Sequence, residues 1–105
     1  MIVVLGSIEV QDAHWEQALA LSQAHVARSR AEPGCLAHAV HRDVENPLRL
    51  VFVEQWADQA ALFAHFQLAS SRAFAKAIAA LCTQPPSMSI YQAQALPLPG
   101  QRAGA

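Results

Sequence analysis

The residues with most chemical potential in this chain fall in one stretch, Leu48 to Phe66, LRLVFVEQWADQAALFAHF. It holds a carboxylate, an indole and an imidazole at Glu54, Trp56 and His65. A neutral imidazole with an ordinary pKa of about 6.5 is a ready general base at cellular pH, and an apolar lining lowers that value further. His65 therefore reads as a base, or else as a hydrogen-bonded histidine of the core or of a dimer interface. Trp56 reads as a large core residue or as a flat face for an aromatic ligand. Glu54 in such company needs a partner or a proton. Arg42, Arg72 or a histidine could supply it, or Glu54 could belong to an interface salt bridge.

Position follows from the local pattern. Leu50 to Trp56 is rich in β-branched and aromatic residues and reads as a strand, with Leu50, Phe52, Glu54 and Trp56 on one face. Asp58 is a good N-cap for the helix that follows. There Leu62, His65, Phe66 and Ala69 recur at i, i+3, i+4 and i+7, so His65 shares the apolar face. His38 and His41, three apart on a strand, should point to opposite faces, and no metal site is predicted there or elsewhere. His14 and His25 are expected as exposed helix residues. No nucleophile triad, phosphate loop or zinc motif is present.

The rest of the chain supplies the frame. Ile2 to Val10 is a strand with both faces apolar near its start, and no signal peptide is expected there. Ala13 to Arg30 is an amphipathic helix with Trp15, Leu19, Ser22 and Val26 inward. Glu32-Pro33-Gly34-Cys35 should form a type II turn leading into a strand over Cys35 to Arg42. Asp43 to Pro47 joins that strand to the next. A break near Ala69-Ser70-Ser71 separates a second helical piece carrying Phe74, Ala77, Ile78 and Leu81, which ends at Gln84-Pro85-Pro86. Ser87 to Leu96 is the last strand, and residues 97–105 form a tail expected to be disordered, leaving one domain over 1–96.

The resulting order, βαββαβ, is the ferredoxin-like α+β arrangement with an antiparallel four-stranded sheet. Two helices can cover only one sheet face, yet Val3, Leu5, Val51 and Val53 make the other face apolar as well. A second copy of the same face would cover it, giving a homodimeric α+β barrel. Composition agrees, with 53% hydrophobic and 14% charged residues against typical values of roughly 45–50% and about 25%. The apolar runs are too short to span a membrane. A net charge of −1 with seven scattered Lys and Arg speaks against nucleic acid. Cys35 and Cys82 are expected to be small buried thiols in a reducing, cytoplasmic setting.

EPGCL at 32–36 and VFVEQWADQAALFAHF at 51–66, in a chain of this length and order, resemble the antibiotic biosynthesis monooxygenase family of dimeric α+β barrels. The resemblance covers residues 1 to about 95. It implies a pocket between sheet and helices in each subunit. Some members oxygenate anthrones or quinols with neither metal nor flavin, some degrade haem, and others isomerise or bind small metabolites. The haem-degrading pattern is incomplete here: Trp56 matches, but Ser7 stands at the first-strand asparagine site and the last helix has no histidine. The resemblance therefore implies a cofactor-independent monooxygenase that combines a small aromatic hydroquinone or polyketide-like phenol with O₂. His65 would be base or proton relay and Trp56 a stacking wall, with Phe52 and Phe66 lining the pocket and Ser7, His38 and Glu54 positioning the substrate or the histidine. A non-catalytic metabolite-binding or stress-related dimer is the alternative.

Overall fold

Alternating burial along the chain defines the strands that carry the site. In the computed structural model, which describes residues 1–101, β1 (Ile2–Glu9) buries Ile2, Val4, Gly6 and Ile8 against the helices. β3 (Arg49–Trp56) does the same with Leu50, Phe52, Glu54 and Trp56, the face the sequence predicts. β2 (Cys35–Arg42) and β4 (Ser87–Gln92) complete an antiparallel sheet in the order β2-β3-β1-β4. Gly6 lies opposite Phe52 on one side and Met88 on the other, and His38 lies opposite Glu54. This is the expected ferredoxin-like topology. β4 stops at Gln92 rather than Leu96. Residues 97–101 form no regular element, although the Gln101 N–H donates to the Leu98 carbonyl at 2.9 Å. The remainder of the tail expected to be disordered, 102–105, lies outside the described residues.

Three helices pack on one sheet face. α1 (Trp15–Ser29) follows a single 3-10 turn at Asp12–His14, so the helix starts two residues later than its periodicity suggests. α2 (Gln59–Gln67) is capped as expected, the Asp58 carboxylate accepting the Ala61 N–H at 2.8 Å. Leu68, at φ −64° and ψ 138°, breaks the chain before α3 (Ala69–Ala79), just ahead of the expected serines. The core forms two apolar clusters, one around Ile8, Val26, Leu50, Phe52 and Ile78, the other around Ile2, Val4, Trp56 and Leu62. On β3 the residue between Phe52 of the first and Trp56 of the second is Glu54, and the buried polar side chains gather there.

The turn after α1 is held by a hydrogen bond from the Cys35 N–H to the Glu32 carbonyl at 3.1 Å, with Gly34 at φ +81°. That is the type II geometry its sequence predicts. A Cβ at Gly34 would fall 2.5 Å from the Ala61 Cβ of α2, so the position requires glycine for both conformation and space. Gly34→Ala is expected to destabilise the fold by about 2 kcal/mol or more, since a left-handed non-glycine residue alone costs about 1–3 kcal/mol. Urea unfolding checks this. An unchanged midpoint would mean that the turn relaxes freely.

Candidate active site

A cavity of about 220 Å³ opens between the sheet and α3. Ile8, Phe52, Phe66, Phe74, Ile78 and Met88 make most of its wall apolar, while His25, His65, Glu54, Ser71 and the exposed Arg72 provide its polar groups. An engineered apolar cavity of about 150 Å³ holds benzene, so one or two aromatic rings fit here.

His65 sits on the inward face of α2, and its Nδ1 lies 2.8 Å and 3.0 Å from the two carboxylate oxygens of Glu32. The Ser71 hydroxyl is 3.3 Å from the same nitrogen. A carboxylate only accepts hydrogen bonds, so this pairing puts the proton on Nδ1 and leaves Nε2 with a free lone pair. Glu32 comes from the turn just described, and Gly34 allows that turn to approach α2 closely. The sequence marks Glu32 only as a turn residue, because its partner is 33 positions away.

Glu54 is buried and ionised. Its Oε1 accepts the Trp56 indole N–H at 2.9 Å and lies 3.3 Å from the His38 Nε2. The latter is a close contact whose alignment falls short of a hydrogen bond, and the His38 ring is left without a hydrogen-bond partner on Nδ1. Burial favours the neutral acid most strongly, but His38, Trp56 and His65 together outweigh it and hold the carboxyl below the usual range. A histidine is therefore the partner that the sequence left open. Arg42 instead lies over the Trp15 ring at 4.2 Å and donates from Nε to the Pro47 carbonyl.

Phe52, Glu54, Phe66 and His65 line the cavity. His38 is buried beside Glu54, and His41 is exposed on the opposite sheet face. Two residues contribute to the site less directly. Trp56 takes the core reading of its two: it is wholly buried in the second apolar cluster, is absent from the cavity wall and offers no stacking face, and it reaches the site through its bond to Glu54 and its ring, 4.7 Å from that of His65. Ser7 contributes to the cavity rim, but its register turns the side chain to the other sheet face, where its hydroxyl bonds to that of Ser87 at 2.8 Å.

His25 is a correction. Expected on the solvent side of α1, it is buried, stacked on Phe74 with ring centroids 4.0 Å apart. The stripe of small residues Ala18, Ser22 and Ser29 buried on the same helix face makes room for the ring, and that spacing was the available signal. Burial first, then His38 and His65, lower its pKa to about 4, against an upward pull from Glu54. Cys35 and Cys82 are free but only half-buried, short of the full burial expected, and burial raises both thiols.

The fold and this cavity define a ferredoxin-like α+β domain with a carboxylate-paired histidine against an apolar pocket. Comparison with known proteins gives the family: the antibiotic biosynthesis monooxygenase profile matches residues 1–77, and the chain belongs to that family. It is 35% identical over 91 residues to the uncharacterized Synechocystis protein sll1783, covering 87% of this chain and 62% of that relative, so it spans less than two thirds of the relative's length. A crystal structure described as antibiotic biosynthesis monooxygenase matches at 27% identity and TM-score 0.84, over 90% of this chain and 100% of that one. PA3566 from Pseudomonas aeruginosa matches at 29% identity and TM-score 0.80, over 90% and 94% of the two chains. A Deinococcus radiodurans structure shares the fold at TM-score 0.88 and 22% identity, over 93% and 98%. No helix among the described residues is long and apolar enough to cross a membrane.

Proposed function

We propose that the protein is a cofactor-independent monooxygenase acting on a small aromatic hydroquinone or polyketide-like phenol. The observation that carries this reading is the Glu32–His65 pair at the wall of the apolar cavity. His65 Nε2 takes a phenolic or activated carbon-bound proton, and Glu32 stabilises the imidazolium that forms. The resulting anion is electron-rich enough to reduce O₂ directly. One oxygen atom enters the substrate and the other leaves as water, and the substrate supplies all four electrons, two for each oxygen atom, as a hydroquinone becomes a hydroxyquinone. Phe52, Phe66 and Phe74 hold the ring. Glu54, with Trp56 and His38 behind it, fixes the polar side of the pocket. Haem degradation is disfavoured because α3 carries no histidine.

The test is oxygen uptake by metal-stripped, flavin-free protein over a panel of hydroquinones and anthrones. Uptake above the uncatalysed background supports the oxygenase. Saturable binding of the same compounds without uptake would instead make the chain a metabolite-binding module.

The proposal includes a homodimer in a reducing cytoplasm. Val3, Val51 and Val53 are only half-buried and Leu5 is 44% exposed, all on the sheet face the helices leave open. Covering this surface would contribute roughly 25 cal/mol per Å² of apolar area. Light scattering is expected to give twice the chain mass for the wild type and the single-chain mass for Leu5→Lys/Val53→Lys. A monomeric wild type would remove the dimer.

A further inference from the structure

His25, His38 and His65 come from α1, β2 and α2 and are far apart in sequence, yet one ligating nitrogen of each lies within 4.8 Å of those of the other two. We propose that these three imidazoles form a binding site for a divalent transition-metal ion of the zinc type, with its remaining coordination position facing the cavity. The proposal does not depend on the oxygenase reading.

Three features of the cluster point this way. The first is an unpartnered nitrogen: the His38 imidazole is fully buried, its Nε2 meets only the Glu54 carboxylate at 3.3 Å, and its Nδ1 has no hydrogen-bond partner. A buried imidazole left so is costly unless something binds it. The second is the carboxylate behind each of two rings. Glu32 holds Nδ1 of His65 and so leaves Nε2 free, while Glu54 faces Nε2 of His38 and so leaves Nδ1 free. A carboxylate behind a metal-bound histidine fixes its tautomer and strengthens it as a donor. Two carboxylates beside three imidazoles also supply the negative charge that a buried dication needs.

The third feature is access. His25 and His65 line the cavity, so an ion enters from the cavity side and meets them before His38. Tetrahedral zinc with bonds of about 2.0–2.1 Å holds its nitrogens roughly 3.3 Å apart. The rings must therefore close inward by about an ångström. His38 can tilt about its Glu54 contact, with Nδ1 bound by nothing else, and His25 can slide on the Phe74 face, while Glu32 and Ser71 anchor His65. Imidazole is a suitable donor for zinc, copper, nickel and iron, and three histidines with one open position are a familiar donor set for zinc.

Such an ion would occupy the His65 nitrogen required for proton abstraction, so metal and substrate deprotonation would compete. The experiment is equilibrium dialysis of chelator-stripped protein against zinc, read by elemental analysis, with cobalt(II) as a spectroscopic substitute. One zinc per chain and cobalt d–d bands of tetrahedral intensity are expected. His25→Phe, which keeps the stacked ring, and His38→Asn should each weaken binding at least tenfold. His14→Ala and His41→Ala should leave it unchanged. Zinc should also raise the melting temperature of the wild type and not that of His25→Phe, which separates loss of the site from loss of the fold. Binding that is absent, or equally strong in His25→Phe, would overturn the proposal. Oxygen uptake without zinc binding would refute the metal site alone, and zinc binding without uptake would refute the oxygenase alone.

Discussion

His65→Ala is expected to lower metal-free oxygen uptake by about 10²–10⁴-fold, the usual contribution of a positioned general base. The residue is buried, so the comparison must be made between folded proteins of equal size. Glu32→Gln separates acid–base work from shape. Glutamine can still accept the His65 Nδ1–H across a distance of 2.8 Å, which keeps the tautomer, but it brings no negative charge to stabilise the imidazolium. A loss of at least tenfold with little change in KM is expected, together with a shifted pH–rate profile. If His65→Ala retains wild-type kcat while folded, the base lies elsewhere and the proton-transfer account fails.

The second large effect is on stability. His25 titrates near 6.5 in an unfolded chain and at about 4 in the folded protein. Between those values the unfolded state binds more protons, so stability rises with pH. This contribution is complete above about pH 6.5 and is lost as pH falls toward 4. The loss amounts to about 3 kcal/mol. Glu54, whose folded carboxyl lies below the ordinary value of 4.5, adds a further loss at still lower pH. The groups acting on His25 are His38, His65, Glu54 and Arg28. Denaturant unfolding of metal-free protein from pH 7 to pH 4 should show the decline, and His25→Phe should flatten it by removing the titrating group while keeping the stack on Phe74. Parallel profiles for the two proteins would assign the acid sensitivity to other groups.

Most of the frame was legible because it rests on periodicity and turn chemistry. Period-two burial in β1 and β3, the Asp58 cap and the Pro33-Gly34 turn are local signals, and each has its physical cause within a few residues. The site was only partly legible because its contacts are long-range. Phe52, Glu54, Phe66 and His65 share predictable faces. Glu32 joins His65 across 33 positions, and only the closeness of the turn to α2 brings them together. The burial of His25 has only a weak local signal, the small residues Ala18, Ser22 and Ser29 on its helix face, because the ring it stacks on, Phe74, lies on another helix. Of the two readings open for Trp56, the large core residue fits: it is covered by Leu62 and His65 of α2 and does not face the cavity.

The turn that delivers Glu32 makes the site modular. The carboxylate partner of His65 sits outside the cavity, on a loop that packs on α2 through Gly34 and Ala61. The cavity's shape is set elsewhere, by Phe52 on β3, Phe74 and Ile78 on α3 and Met88 on β4. Those wall residues can therefore diverge, reshaping the range of molecules admitted, while the Glu32–His65 pair is inherited intact. Directed evolution toward a new aromatic ligand should accordingly leave positions 32, 34, 61 and 65 unchanged and accumulate its substitutions at 74, 78 and 88.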